Sequence, residues 1–190
     1  IAPVAIGTAL LHGTSVAAQP NRPRGFQACQ GFTFYSADKD PAGLNIRSGP
    51  GSRFPVLGRT KWRHLDMTAF QVLASQDGWF KVKAIGEWGY REARLKPLRS
   101  YSGIGWVAGS KLTIGYFAGE TFRLFSTPGG RQSETVAVEL EVSGPQRIIG
   151  CQGNWVFIEH DETISIEPER EITKSGWVRG SCPPPGRRCP

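Results

Sequence analysis

Three landmarks recur in the same order at nearly constant spacing, and this internal repeat constrains the fold more than any other feature of the chain. Leu44-Asn45-Ile46-Arg47-Ser48-Gly49-Pro50-Gly51 is answered by Phe122-Arg123-Leu124-Phe125-Ser126-Thr127-Pro128-Gly129. Asp77-Gly78-Trp79-Phe80-Lys81-Val82 is answered by Gly153-Asn154-Trp155-Val156-Phe157-Ile158, and Gly105-Trp106-Val107-Ala108-Gly109-Ser110 by Gly176-Trp177-Val178-Arg179-Gly180-Ser181. The offsets are 78, 76 and 71 residues at Pro50, Trp79 and Trp106. A chain of 190 residues built this way is a tandem of two related modules.

Each module reads as short strands. Phe32 to Tyr35, Ala69 to Leu73 and Trp79 to Lys83 are β-branched or aromatic and partly alternating. In the second half Thr135 to Val142 alternates apolar with polar, and Val156 to Ile158 and Ile164 to Ile166 continue that character. Gly, Pro, Asn and Asp punctuate the runs as tight turns require, and no window carries a helical stripe. The expected fold class is all-β, with two tandem small barrels at 26–114 and 115–183. Gly105-Trp106-Val107 is taken as the closing strand of the first barrel, in preference to Trp88-Gly89-Tyr90-Arg91, because the second module closes with the same pattern. On that choice 86–102 and 160–175 are insertions.

The motif set resembles the bacterial SH3 (SH3b) family over roughly residues 26 to 183. The resemblance rests on Leu44 to Ser52, Pro55-Val56-Leu57-Gly58 and Asp77 to Val82. It implies small SH3-like barrels in which Gly49 and Pro50 end one strand in a tight turn. The tryptophans would supply the large apolar area that a small barrel needs. The second module departs from the pattern, with Phe125 in place of the motif arginine and Thr127 in place of the glycine.

The chain ends speak to compartment. Residues 1–18 hold no Asp, Glu, Lys or Arg, and Val16-Ala17-Ala18 offers the small side chains that a signal peptidase reads. They are read as a partial signal peptide, with the mature chain starting near Gln19. The apolar run of about eleven residues is too short for a transmembrane anchor. Cys29, Cys151, Cys182 and Cys189 form an even set without a Cys-x-x-Cys spacing, which points to disulfides in an oxidising compartment rather than a metal site. The favoured pairing is Cys151–Cys182 with Cys29–Cys189; the rival is Cys182–Cys189 with Cys29–Cys151. The proline-rich tail at 184–190 is expected to lack regular structure. The periplasm or the extracellular space follows as the location.

Charge divides between the modules. Residues 22–114 carry 15 Lys and Arg against 6 Asp and Glu, whereas 115–190 carry 8 against 10. A basic first module favours acidic polymers. Arg47, Trp62, Arg63, Trp88 and Tyr101 are the candidate ligand-binding residues, because interleaved cationic and aromatic groups can hold sugar rings or anionic peptide groups. No nucleophile elbow, zinc-protease motif or phosphate loop occurs, and the adjacent Asp161 and Glu162 do not form a glycosidase pair. The reading is therefore a protein without catalysis, cofactor or metal. Its resemblance implies binding of peptidoglycan or cell-wall peptides, and the alternative is a structural or protein-interaction module of the envelope. Export would remove nucleic acid as a partner.

Overall fold

The computed structural model describes residues 20–60, 66–89, 94–97, 101–114, 121–137, 143–164 and 170–179. Residues 1–18 and 184–190, with Trp62, Arg63, Cys182 and Cys189, lie outside the described residues. Regular structure among the described residues is β-strand, apart from a single 3-10 turn at Gly109–Lys111. The chain is all-β.

The strands fall into two sheets. The first contains β1 (Phe26–Ala28), β2 (Thr33–Ser36), β3 (Asn45–Arg47), β4 (Val56–Arg59), β5 (Asp66–Gln76), β6 (Trp79–Gly89), β7 (Arg94–Lys96), β8 (Ile104–Ala108) and β9 (Leu112–Ile114). Its order is β4-β3-β8-β6-β5-β2-β9, with β1 added on β5 and β7 on β6. The second contains β10 (Thr121–Phe125), β11 (Gln132–Ala137), β12 (Ser143–Gln152), β13 (Trp155–Ile164) and β14 (Arg170–Arg179), in the order β11-β10-β14-β13-β12.

Five strands of the first sheet, β4-β3-β8-β6-β5, therefore share one plan with the whole of the second. The correspondence extends to register. Arg47 and Lys81 both pair with Trp106, and Phe125 and Phe157 both pair with Trp177. Gln76 pairs with Trp79 as Gln152 pairs with Trp155. Ladder irregularities fall at equivalent places, between Ile46 and Arg47 and between Leu124 and Phe125, then between Val72 and Ala74 and between Ile148 and Gly150. Two-residue loops join the matching hairpins. Asp77 and Gly78 take φ of 47° and 82°, and Gly153 takes 56°. These are the left-handed conformations whose twist suits a tight hairpin, and they explain the Asp-Gly and Gly-Asn pairs in the sequence.

The two sheets meet through one buried cluster. Alternation sends Ile46, Phe80, Val82 and Val107 inward from the first sheet, and Leu124, Ile148, Val156, Ile158 and Val178 inward from the second. Phe32, Phe34, Leu44 and Phe70 fill the same cluster. Gly109 lets the 3-10 turn lie against β12, because a Cβ there would strike the Ile148 carbonyl oxygen. The β12–β13 turn docks on the first sheet: Gly153 donates its N–H to the Ala28 carbonyl at 2.9 Å and accepts from Gln30 N–H at 2.8 Å. Beside it, Cys29 is disulfide-bonded to Cys151, with Cα atoms 5.7 Å apart. Ser75 Oγ accepts the Cys151 N–H at 2.9 Å.

That disulfide corrects the favoured pairing of Cys151 with Cys182 and of Cys29 with Cys189. β13 lies between β12 and β14. The end of β14 is thus two strand spacings from Cys151, roughly 9–10 Å, which exceeds the reach of a disulfide. Cys29 instead comes beside Cys151 because β1 runs along the β12–β13 turn, with Cys29 bridged in parallel to Gly153.

The expected insertions also prove to be strand for much of their length. β6 continues to Gly89 with β7 folded back on it, and β13 and β14 pair out to Ile164 and Arg170. β8, with Trp106, is the strand that joins β3 to β6.

Candidate functional site

The outer face of the first sheet follows from the alternation in β6. Phe80, Val82 and Ala84 enter the core, so Trp79, Lys81 and Lys83 face the other way. Residues paired directly across antiparallel strands share a face. The ladder therefore lays Val56, Arg47, Trp106 and Lys81 in a row across β4, β3, β8 and β6. Trp106 is buried between its two cationic neighbours, which are half-buried, and Lys83 is exposed one step along the strand.

The loop beside this row is built to be rigid. Arg47 Nη1 donates to the Phe54 carbonyl at 2.8 Å, Ser48 N–H to the Pro55 carbonyl at 2.9 Å, and Phe54 N–H to the Gly51 carbonyl at 3.3 Å. The Phe54 ring occupies the space a side chain at Gly49 would need, and the Arg53 guanidinium lies 5.5 Å from the centre of that ring. The small residues of Ser48-Gly49-Pro50-Gly51 are thus where an aromatic ring folds over the turn.

Tyr101 sits nearby on the opposite face. Its ring covers Gly58 and Gly103, and its hydroxyl donates to the Ile104 carbonyl at 3.3 Å. Gly58 pairs with Ile46, a core residue, so Tyr101 packs against the core side while Arg47 faces outward. Val56 and Leu57 on the outermost strand β4 are exposed at 41% and 47%, and Ile104 on β8 at 47%.

Of the five residues singled out in the sequence, Arg47 is on this face and Tyr101 braces its edge from behind. Trp62 and Arg63 lie outside the described residues. Trp88 is not a surface group: it is buried in a separate cluster with Tyr35, Ala69 and Met67, its ring 6.4 Å from that of Tyr35 in an edge arrangement. Being on strand β6 rather than on a loop, it packs against the flank of the sheet. Lys81, Lys83, Trp79 and Trp106 were passed over as site residues, although the alternation of Trp79 to Lys83 already placed both lysines with Trp79.

The matching face of the second sheet has a different chemistry. Phe125, Phe157 and Glu159 stand at the positions of Arg47, Lys81 and Lys83, around Trp177 in the position of Trp106. Phe157 and Trp177 meet edge to face at 5.5 Å, and Phe125 and Trp155 do so at 5.1 Å. Cationic groups around a tryptophan suit acidic or sugar-bearing ligands, whereas this aromatic row suits an apolar or prolyl group. Among the described residues, no group of three or more His, Cys, Asp or Glu is placed to hold a metal ion, and no helix is long and apolar enough to cross a membrane.

Residues 42–113 match the family model of the bacterial SH3 domain. The matched span runs from just before β3 to β9, so it takes in the cationic row and the Phe54 loop. The SH3 match ends before β10. No curated protein and no solved structure matches the chain. A bacterial SH3 domain supports a role as a cell-wall-binding or protein-interaction module. The Cys29–Cys151 disulfide fits an exported protein.

Proposed function

We propose that the chain is a non-catalytic protein of the cell envelope with a tandem pair of SH3 modules, the second divergent, and that the first module binds cell-wall polymer. The observation that carries this reading is the row Arg47–Trp106–Lys81 on the outer face of the SH3-matched sheet, with Lys83 and the Arg53–Phe54 loop beside it. Peptidoglycan presents carboxylates on its peptides and flat pyranose faces on its glycan. Arg47, Lys81 and Lys83 offer partners to the carboxylates, and the half-buried Trp79 on the same face offers one to the pyranose, while Trp106 itself is buried beneath them. The tandem reading is supported by the shared strand order, registers and irregularities of the two sheets. Export is supported by the leader composition and the disulfide. No cofactor or metal enters this reading.

Purified sacculi test it. The exported chain should be retained, and retention should persist at moderate salt, where attraction between exposed charges alone is screened. Neutralising Arg47, Lys81 and Lys83 together should abolish it, while replacing Phe157 or Glu159 conservatively should not. Absence of retention at low salt refutes wall binding. That outcome would favour a second reading, protein interaction, for which the exposed Val56 and Leu57 on the terminal strand β4 are the specific observation.

A further inference from the structure

The outer face of the second sheet is covered by the chain's own residues 21–23. Each of the three makes a contact of a different kind. Asn21 accepts the Trp177 indole N–H on its carbonyl oxygen at 3.0 Å and donates its own N–H to the Ser126 carbonyl at 3.3 Å. Arg22 pairs its guanidinium with the carboxylate of Glu159, which Arg147 approaches from the other side at 3.4 Å. Pro23 stands over Gly150, where a Cβ would run into its ring. The floor beneath is aromatic, with Trp177 only 2% and Phe157 0% exposed.

The three contacts are of the kinds by which an extended peptide can be read. A tryptophan N–H fixes the main chain, a glycine leaves room for a prolyl ring, and a buried carboxylate takes an arginine. The Glu159 side chain is 8% exposed with Arg22 in place, while that of Arg22 is 62% exposed, so the arginine meets the carboxylate from the solvent side. The segment Pro20-Asn21-Arg22-Pro23-Arg24 has prolines flanking the two reading residues, which favours the extended left-handed conformation with a solvated backbone. The first sheet's row carries Arg47 and Lys81 where the second carries Phe125 and Phe157.

We propose that this groove is a recognition site for extended peptides containing arginine and proline, kept closed by residues 20–24 as a resident ligand. The occupant it would take from outside is a peptide of the same chemistry. Cys29 lies five residues after Arg24 and is bonded to Cys151 beside the groove. So short a tether gives the resident segment an effective concentration in about the millimolar range, which a free peptide must exceed.

The probe is the capped peptide Gln-Pro-Asn-Arg-Pro-Arg, corresponding to residues 19–24. It is titrated into the full chain and into a variant in which residues 20–24 are replaced by glycine and serine, both with the disulfide intact. Binding is followed by calorimetry and by the Trp177 indole proton resonance. The replaced chain should bind saturably and at least tenfold more tightly than the native chain. Glu159→Gln in the replaced chain should weaken binding about two- to fivefold, the range of an ion pair with one exposed partner. A probe with Glu for its first arginine should not bind. Should the replaced chain fail to fold, Arg22→Ser with Pro23→Ser in the otherwise native chain serves instead, and excess probe should shift the Trp177 indole resonance. A folded variant of either kind that takes up no probe overturns the proposal and leaves residues 21–23 as packing alone.

Discussion

In the first sheet the central tryptophan of the outer row, Trp106, has Arg47 and Lys81 as its cross-strand neighbours; in the second, Trp177 has Phe125 and Phe157. Both rows rest on the same ladder irregularities and face away from the same shared core. The inward residues and the turns therefore define the plan; the inward residues keep to apolar types apart from His160, which stands where the first sheet has Ala84. The outward neighbours of the tryptophan are not so bound. Where they are cationic they stay half-exposed around a buried tryptophan, and where they are aromatic residues 21–23 lie over them. The charge division of the sequence, 15 against 6 before residue 115 and 8 against 10 after it, is partly this exchange made visible.

Exchanging the equivalent residues tests whether the two faces tolerate charge differently. Phe157→Lys places an ammonium where the side chain is fully buried beneath the covering segment. It should cost about 4 kcal/mol, from lost aromatic burial and an uncompensated charge. The reverse change, Lys81→Phe, falls on a half-buried site and should alter stability by less than about 1 kcal/mol. Urea denaturation of both variants gives the difference. Equal costs would mean that the two faces are buried alike and that the covering segment has no bearing on tolerance.

The next effect concerns the link between the sheets. Cys29 and Cys151 are 122 residues apart in sequence. Replacing both with serine should cost about 2–4 kcal/mol, chiefly by freeing the unfolded chain. Because the two sheets contribute to one apolar cluster, the variant should still melt in a single transition. Two resolved transitions in calorimetry would show that the disulfide, not the shared core, makes the sheets cooperate.

Local sequence signals carried much of this architecture. Trp79 and Trp155, or Trp106 and Trp177, are conspicuous in sequence, and the turns before Trp79 and Trp155 depend on Asp and Gly at left-handed positions. The disulfide was not legible. Its pairing depends on β13 separating β12 from β14 and on β1 reaching the β12–β13 turn, and spacing along the chain encodes neither. Trp88 was misplaced because Gly86 to Ser102 has the composition of a loop, yet β5 pairs with it as strand and shields the ring. Arg47 was legible from its motif, and Lys81 and Lys83 from alternation. The covering segment had no sequence signal as a contact, since Asn21 meets Trp177 across 156 residues and Arg22 meets Glu159 across 137.

A smaller effect is expected at the loops. Arg47 donates to the Phe54 carbonyl, whereas its counterpart Phe125 has no such group to offer. Arg47→Phe should therefore loosen the 48–55 loop of the first sheet and cost about 1 kcal/mol, the worth of one partly buried hydrogen bond. Faster amide exchange at Phe54 and Ser48 is the expected signature. Unchanged exchange would mean that the Phe54 ring over Gly49 holds the loop without the arginine.

The smallest effect is found in a cluster that belongs to the first sheet, that of Tyr35, Ala69 and Trp88. The Tyr35 hydroxyl is buried and has no hydrogen-bond partner among the described residues, and burial raises its pKa above the usual 10. Below the unfolded-state value the phenol is neutral in both states, so its contribution to stability is constant. As pH rises past that value the unfolded chain releases the proton while the folded chain retains it, and stability falls until the folded pKa is passed. Tyr35→Phe removes this contribution and leaves no hydroxyl to desolvate. At pH 7 the variant should be as stable as the native chain or slightly more so, and its melting temperature should fall less steeply above pH 10. Lysines and the remaining tyrosines titrate in both proteins and cancel in the difference. Parallel alkaline profiles for the two proteins would mean that the phenol reaches water in the folded state, and a loss of stability at pH 7 would mean that its hydroxyl has a partner.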